Sequence, residues 1–225
     1  MTRFAGIPRD AVDFYVELAD HNTREWFALN KDRYERSVRE PVLALTDALA
    51  DEFGEAKVFR PHVDVRFRND KTPLKTEQGA VAQPWEGTGY YLSLSAEGLM
   101  TGGGSMHQQP DQLTRYRTAV DADISGDELA QIVATLRRKG FQIGGEVLKT
   151  RPRGVPEDHP RLELQRHKGI IAWRERGVPD WLDSPAVVRH VREDWRAIRP
   201  LADWFAAYVG PSTQPRPTRG SVRAR

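Results

Sequence analysis

The 225-residue chain contains no cysteine. That absence excludes disulfides, thiolate nucleophiles and cysteine-based zinc sites. No apolar run approaches the length of a membrane span. The first residues, Met1 to Pro8, lack the long apolar stretch of a secretory leader. The expectation is a cytoplasmic protein without a membrane span. No Gly/Ser/Pro-rich linker interrupts the body, so a single domain is predicted over residues 1–210. Charge of one sign is also scarce: the net charge is +2. Residues 211–225 hold Arg216, Arg219, Arg223 and Arg225 and no acid, which leaves −2 for the body. A slightly acidic body argues against a globally basic nucleic-acid binder. The Pro/Arg/Ser/Thr composition of 211–225 predicts a disordered tail. Ser93, Ser95 and Ser105 have no nucleophile-elbow context. The six histidines form no dense ligand pattern, so no metal site is expected.

Apolar anchors are plentiful by comparison. Pro8 suits the start of a helix, and Ala11, Phe14, Tyr15 and Leu18 follow at helical spacing. Asn22 with Glu25 forms an approximate capping box for a second helix carrying Trp26, Phe27, Tyr34 and Val38. Pro41 is expected to break or kink it, with Val42, Leu45, Leu49 and Phe53 resuming before a Gly54 C-cap. The period then changes. His62 to Arg68 alternates strictly, which predicts a strand with Val63, Val65 and Phe67 on one face. Residues 90–95 read as a second strand, and Ala96-Glu97-Gly98 turns it into a third over 99–101, which Gly102-Gly103-Gly104 ends. Helices are predicted at about 108–120 and 126–138. Lys149 to Gly154 reads as extended, and a long helix runs from about Ser184 to Tyr208 with a bend near Pro200. Helices, then strands, then helices give an α+β fold: N-terminal helices, a central mostly antiparallel sheet, further helices and a long C-terminal helix.

Two runs of same-face cations stand out in this acidic body. Arg66, Arg68, Lys71 and Lys75 follow one another along the predicted strand and its turn, against Asp64 and Asp70. Arginine offers a planar fork of donors and lysine a mobile point charge, both suited to a phosphate or carboxylate. Asp70, within the same ligand site, can pair with Lys71 or bind a metal. Lys149, Arg151 and Arg153 alternate, so an extended backbone would aim them together. If the runs converge, the pocket needs an anion, because unpaired like charges repel. Asp64 and His159 are the candidate catalytic groups for proton transfer. The alternative for each run is a solvated charged face.

Several segments together are recognisable: Phe4-Ala5-Gly6-Ile7-Pro8, Asn22 to Phe27, Asp64-Val65-Arg66-Phe67 with Asp70-Lys71-Thr72-Pro73, Gly102-Gly103-Gly104, and Leu148-Lys149 with Pro152-Arg153-Gly154 and Asp158-His159-Pro160. In this order they resemble a bacterial family, domain of unknown function 2461, over nearly all of residues 4–210. The resemblance marks Asp64, Arg66, Asp70, Lys71 and Lys75 as motif positions and brings no established reaction with it. Val63 stands where the family pattern has Arg, and Leu74 where it has Tyr. The functional expectation is a small anionic or phosphorylated ligand held by Arg66, Arg68, Asp70, Lys71 and Lys75 with Lys149, Arg151 and Arg153, in a binder or an enzyme. A nucleic-acid-associated protein and a non-catalytic scaffold are the alternatives. No cofactor is indicated.

Overall fold

A computed structural model describes residues 4–63, 72–85 and 87–214 of the chain. Helix α1, Asp10–Asp20, buries Phe14, Tyr15 and Leu18 as the spacing predicts. Helix α2, Arg24–Tyr34, is capped by Thr23 rather than Asn22: the Thr23 hydroxyl accepts from the Trp26 backbone N–H at 3.1 Å. Asn22 is drawn away by a tertiary role. Its side-chain amide donates to the Leu74 carbonyl and its oxygen accepts from the Leu74 N–H, both at 3.1 Å. Pro41 does not break the helix. A π-helical turn, Glu35–Arg39, carries α2 into α3, Glu40–Asp47. Proline has no N–H to donate and its ring crowds the carbonyl four residues back. One widened turn absorbs the mismatch and keeps both Tyr34 and Val42 in the core. Helix α4, Ala50–Phe53, ends at Gly54 with φ 81°, as expected for its C-cap.

Among the described residues six strands form one sheet: β1 Ala56–Val58, β2 Glu77–Trp85, β3 Thr88–Ser95, β4 Gly98–Ser105, β5 Gln142–Gly144 and β6 Ile170–Gly177, in the order β1-β2-β3-β4-β6-β5. All neighbouring pairs are antiparallel. The β3–β4 hairpin turns at Ala96–Glu97 as predicted, but Gly102-Gly103-Gly104 does not end it. β4 runs on to Ser105 because it is a central strand: Gly102 pairs with Tyr91 and Trp173, and Gly104 with Gly89 and Ile171. Backbone pairing on both sides overrides the weak strand preference of glycine. Of the expected strand 62–68, His62 bridges Leu74 and the Val63 N–H bonds to the Pro73 carbonyl at 2.9 Å. Its remaining residues, from Asp64, lie outside the described residues, as do all of Asp64 to Lys71.

Helices α5, Pro110–Asp121, and α6, Asp123–Arg138, follow β4. A short α7, Leu162–Gln165, precedes β6. Helix α8, Ala186–Tyr208, is unbroken through Pro200. It lays Trp195, Ile198 and Leu201 over the face of the sheet that carries Tyr90, Leu92, Leu99 and Ala172, all buried. Asp194, with a side chain only 2% exposed, pins α8 to the sheet. It accepts from the Thr101 hydroxyl at 2.7 Å, from Arg174 at 2.9 Å, and from Arg176 at 2.9 and 2.6 Å.

Two segments depart from the sequence reading. Lys149 to Gly154 is not extended: the Val155 N–H bonds back to the Pro152 carbonyl at 3.2 Å and Gly154 has φ 86°. Residues 211–214 are not loose. The Pro211 carbonyl accepts from Arg115, and Ser212 and Thr213 donate to Asp111, at 2.7 to 2.8 Å. Among the described residues no helix is long and apolar enough to cross a membrane.

Candidate functional site

Alternation along the strands sorts their side chains onto two faces. The face away from α8 carries Gly79 and Val81 of β2, Gly89 and Tyr91 of β3, Met100 and Gly102 of β4, and Ile171 and Trp173 of β6. The pairing register aligns these residues across the sheet. Lys57, Val81, Tyr91, Gly102 and Trp173 form one row, and Gly89, Gly104, Ile171 and Gly144 the next. Glycine thus holds the β4 position in both rows, and the β3 and β5 positions as well in the second.

Glycine also sets where the two large rings lie. A Cβ on Gly79 would sit 2.5 Å from the Tyr91 hydroxyl, and a Cβ on Gly144 would sit 2.8 Å from the Trp173 ring. Tyr91 thus lies outward over β2 and Trp173 outward over β5. The space between them is bare backbone. A cavity of about 780 Å³ occupies it, floored by Gly89, Gly102 and Gly104 and bounded by Val81, Met100 and Ile171. That volume is in the range of small-molecule sites. Gly104 is required twice over: its φ is 125°, and a Cβ there would meet the Ile170 carbonyl oxygen at 2.3 Å.

The rim is polar in two places. On the β1 side, Lys57 and Phe59 line the cavity. Lys75 rests its ammonium 4.9 Å from the Phe59 ring centre. Burial lowers the pKa of Lys75, and the neighbouring cations Arg60 and Lys57 lower it further, against Glu77. Three cations thus gather at this lip. Glu77 accepts the Tyr91 hydroxyl at 2.9 Å. Burial first, and then that carboxylate, raise the Tyr91 pKa, so the phenol stays a donor at neutral pH. At the end beyond Gly89 and Gly104 stand Thr88 and His107. The Thr88 side chain turns to the other face of the sheet, that of Tyr90 and Leu92, where it is buried and its hydroxyl has no hydrogen-bond partner. A buried, unpaired hydroxyl is costly unless something meets it.

The residues singled out from sequence are placed unevenly. Lys75 belongs to the lip. Asp64, Arg66, Arg68, Asp70 and Lys71 lie outside the described residues, in the segment between the paired ends Val63 and Pro73. Lys149, Arg151 and Arg153 do not join Lys75. They follow β5, at the opposite edge of the sheet and off its opposite end. Four strand spacings alone separate β2 from β5 by about 19 Å, beyond one side chain's reach. Arg151 turns back on its own loop, donating to the Val155 carbonyl at 2.8 Å and pairing with Glu157 at 3.1 Å. His159 is 7% exposed and fixed: its Nδ1 accepts from the Arg161 N–H and its Nε2 faces Asp121, both at 3.0 Å. These contacts hold the end of α5 to the loop before α7, and His159 does not line the cavity. His107 does. Among the described residues no group of three His, Asp or Glu is arranged to hold a metal ion.

Sequence reasoning missed Lys57, Gly89 and Trp173. One signal was legible in retrospect: Gly102 shares the face of Tyr91's row once β4 is taken as continuous.

A family model described as conserved hypothetical protein (DUF2461) matches residues 10–204. No curated protein matches the chain.

Proposed function

The chain belongs to the DUF2461 family, and we propose that it binds a small organic anion in the trough on the open face of its sheet. The apolar body of the ligand lies over the glycine floor and its anionic group meets the cationic lip. The observation that carries this reading is the cavity of about 780 Å³ with Lys57 in its lining. Lys75 and Arg60 strengthen the lip, since Lys75 is held below its ordinary pKa by burial and by those same neighbours. An arriving anion relieves that repulsion. Of the cations singled out from sequence, Lys75 supports this reading at the lip, and the walls beside it are apolar. Lys57 can hold the anion and His107 can exchange a proton with it. No reaction is assigned.

Calorimetric titration with naphthyl phosphate and with decyl phosphate, below its micellar concentration, tests the reading. At least one binds the wild-type protein at a single site. Lys57→Glu weakens that binding about tenfold through charge reversal at the lip. Gly102→Val puts a side chain on the floor and abolishes it. Circular dichroism verifies that both variants fold. Failure of both phosphates to bind, or binding that neither substitution changes, overturns the proposal.

A further inference from the structure

We infer that Lys75 is an amine nucleophile and that the anion taken at this lip is an α-oxo acid with an apolar tail, whose carbonyl carbon Lys75 binds as an imine. The inference rests on the organic-anion reading and adds the class of ligand and its chemistry.

Three observations carry it. The first is the choice of cation. Lysine supplies only seven of the chain's 34 Lys and Arg residues. Where this fold needs charge alone it uses arginine: Asp194 is met by Arg174 and Arg176, and Glu52 by Arg192, Arg196 and Arg199. At the lip, two of the seven lysines, Lys57 and Lys75, stand together with Arg60. Arginine keeps its proton in proteins, whereas lysine can release it and attack a carbonyl.

The second is the setting of the amine. Gly79 leaves room over β2 for the Tyr91 hydroxyl and the Phe59 ring, which a Cβ there would meet at 2.5 and 3.0 Å. Lys75 holds its Nζ 4.9 Å from the centre of that Phe59 ring, and Phe59 and Tyr91 both line the cavity. Burial is the largest influence on Lys75 and favours the neutral amine. Among the described residues the charges acting on it are Arg60 and Lys57, which favour the amine too, and Glu77, which opposes them. Glu77 also accepts the Tyr91 hydroxyl at 2.9 Å. A lysine among cations in a partly desolvated corner is the ordinary way to obtain a nucleophilic amine at neutral pH.

The third is where the cations stand. Lys57 and Arg60 are close enough to act on Lys75, so the anionic group they hold lies beside the carbon that Lys75 attacks. A carbonyl bonded directly to a carboxylate meets both demands at one end of the ligand. The rest of the ligand then lies along Val81, Met100 and Ile171, which are apolar. The step balances without an oxidant or reductant. The Nζ lone pair forms the C–N bond, the carbonyl electrons pass to oxygen, and that oxygen leaves as water with both amine hydrogens. Glu77 carries a proton from nitrogen to that oxygen.

The test uses three compounds with one body: phenylpyruvate, phenyllactate, which lacks the carbonyl, and phenylacetone, which lacks the carboxylate. Wild type is incubated with phenylpyruvate and cyanoborohydride, which fixes an imine as a stable amine, and the adduct is located by peptide mass spectrometry. One adduct forms per chain, on Lys75, with a mass gain of phenylpyruvate less one oxygen. It forms about tenfold faster than the phenylacetone adduct, and phenyllactate suppresses it. Lys75→Arg keeps the charge, loses the adduct, and binds phenyllactate within about twofold of wild type by calorimetry. The adduct is mapped on wild type, so that result stands even if the variant fails to fold. Binding of phenyllactate with no adduct, or with an adduct spread over the lysines or seated on Lys57, overturns the role of Lys75 and leaves the anion reading standing. Equal rates with phenylacetone, or binding of naphthyl phosphate without phenyllactate, overturn the α-oxo acid class. Failure of phenyllactate and naphthyl phosphate alike to bind removes the anion reading itself.

Discussion

The two faces of the sheet are built from alternate residues of the same strands and are finished in opposite ways. Toward α8, β3 and β4 present Tyr90, Leu92, Leu94, Leu99 and Thr101, and every one is buried. The charged groups there are also completed: Asp194 receives Thr101, Arg174 and Arg176. Away from α8 the same strands present Gly89 and Gly102, and the cavity lies over their bare backbone. Glycine inside a strand costs roughly 0.5–1 kcal/mol relative to alanine. The open face therefore weakens the sheet, and the packed face supplies the stability that lets it. Cohesion and capacity for a ligand are separated by one residue of sequence, a single step from Gly102 to Gly103, whose absent Cβ would meet Ile198 of α8 at 3.0 Å.

The largest test of this contrast is Asp194→Ala. Removing the carboxylate strands two arginines whose side chains are 22% and 23% exposed. A loss of about 3–5 kcal/mol is expected in urea unfolding. A loss below about 1 kcal/mol would mean that α8 is held by apolar packing alone. Next in size is Gly104→Ala, which breaks the contrast on purpose. Its backbone floors the cavity, but its φ of 125°, the Ile170 oxygen at 2.3 Å and Leu201 of α8 at 3.2 Å from the Cβ position make it structural. About 1–3 kcal/mol of destabilisation is expected, again by urea unfolding; a neutral result would show that the floor can reshape.

The smallest effect has the opposite sign. Lys75→Met keeps the contact with Phe59 but removes a cation from the crowded lip. Because the folded-state pKa of Lys75 lies below the ordinary lysine value, the charged form is penalised by folding. That penalty is complete at pH values below its folded pKa. It fades as pH rises through the interval up to about 10.4, the unfolded value. The variant should melt slightly higher than wild type at pH 7, on the order of one degree, with the difference vanishing by the top of that interval. The same substitution should weaken phosphate binding. A variant that melts lower at pH 7 would place Lys75 among the stabilising groups of the sheet.

What could be read from the sequence divides along similar lines. The long C-terminal helix, the α1 stripe and the β3–β4 hairpin were legible because burial on one face leaves a periodic apolar pattern. β2 was not, since Glu77-Gln78-Gly79-Ala80-Val81-Ala82-Gln83-Pro84 has small and polar residues where a strand usually shows branched ones. β6 was hidden for a different reason. Its Arg174 and Arg176 face inward to Asp194, so the buried side of the strand reads as charged. Lys149 to Gly154 misled because Pro152 suits an extended chain as well as the turn it makes. The trough was the hardest to see. Its essential feature is the lack of side chains at positions brought together from β3 and β4, and a run of glycine in sequence resembles a loop until its pairing partners are known.

A floor made of main chain has an evolutionary consequence. Side chains are what mutation changes, and every change at Gly89 or Gly102 adds bulk to the space rather than altering its chemistry. Relatives sharing this fold would diversify what they hold only at the margins: the residues equivalent to Lys57 and Phe59 on one shore, His107 at the end, Trp173 on the other. Comparison of those positions among relatives would then separate lineages by ligand, while the floor stayed constant beneath them all.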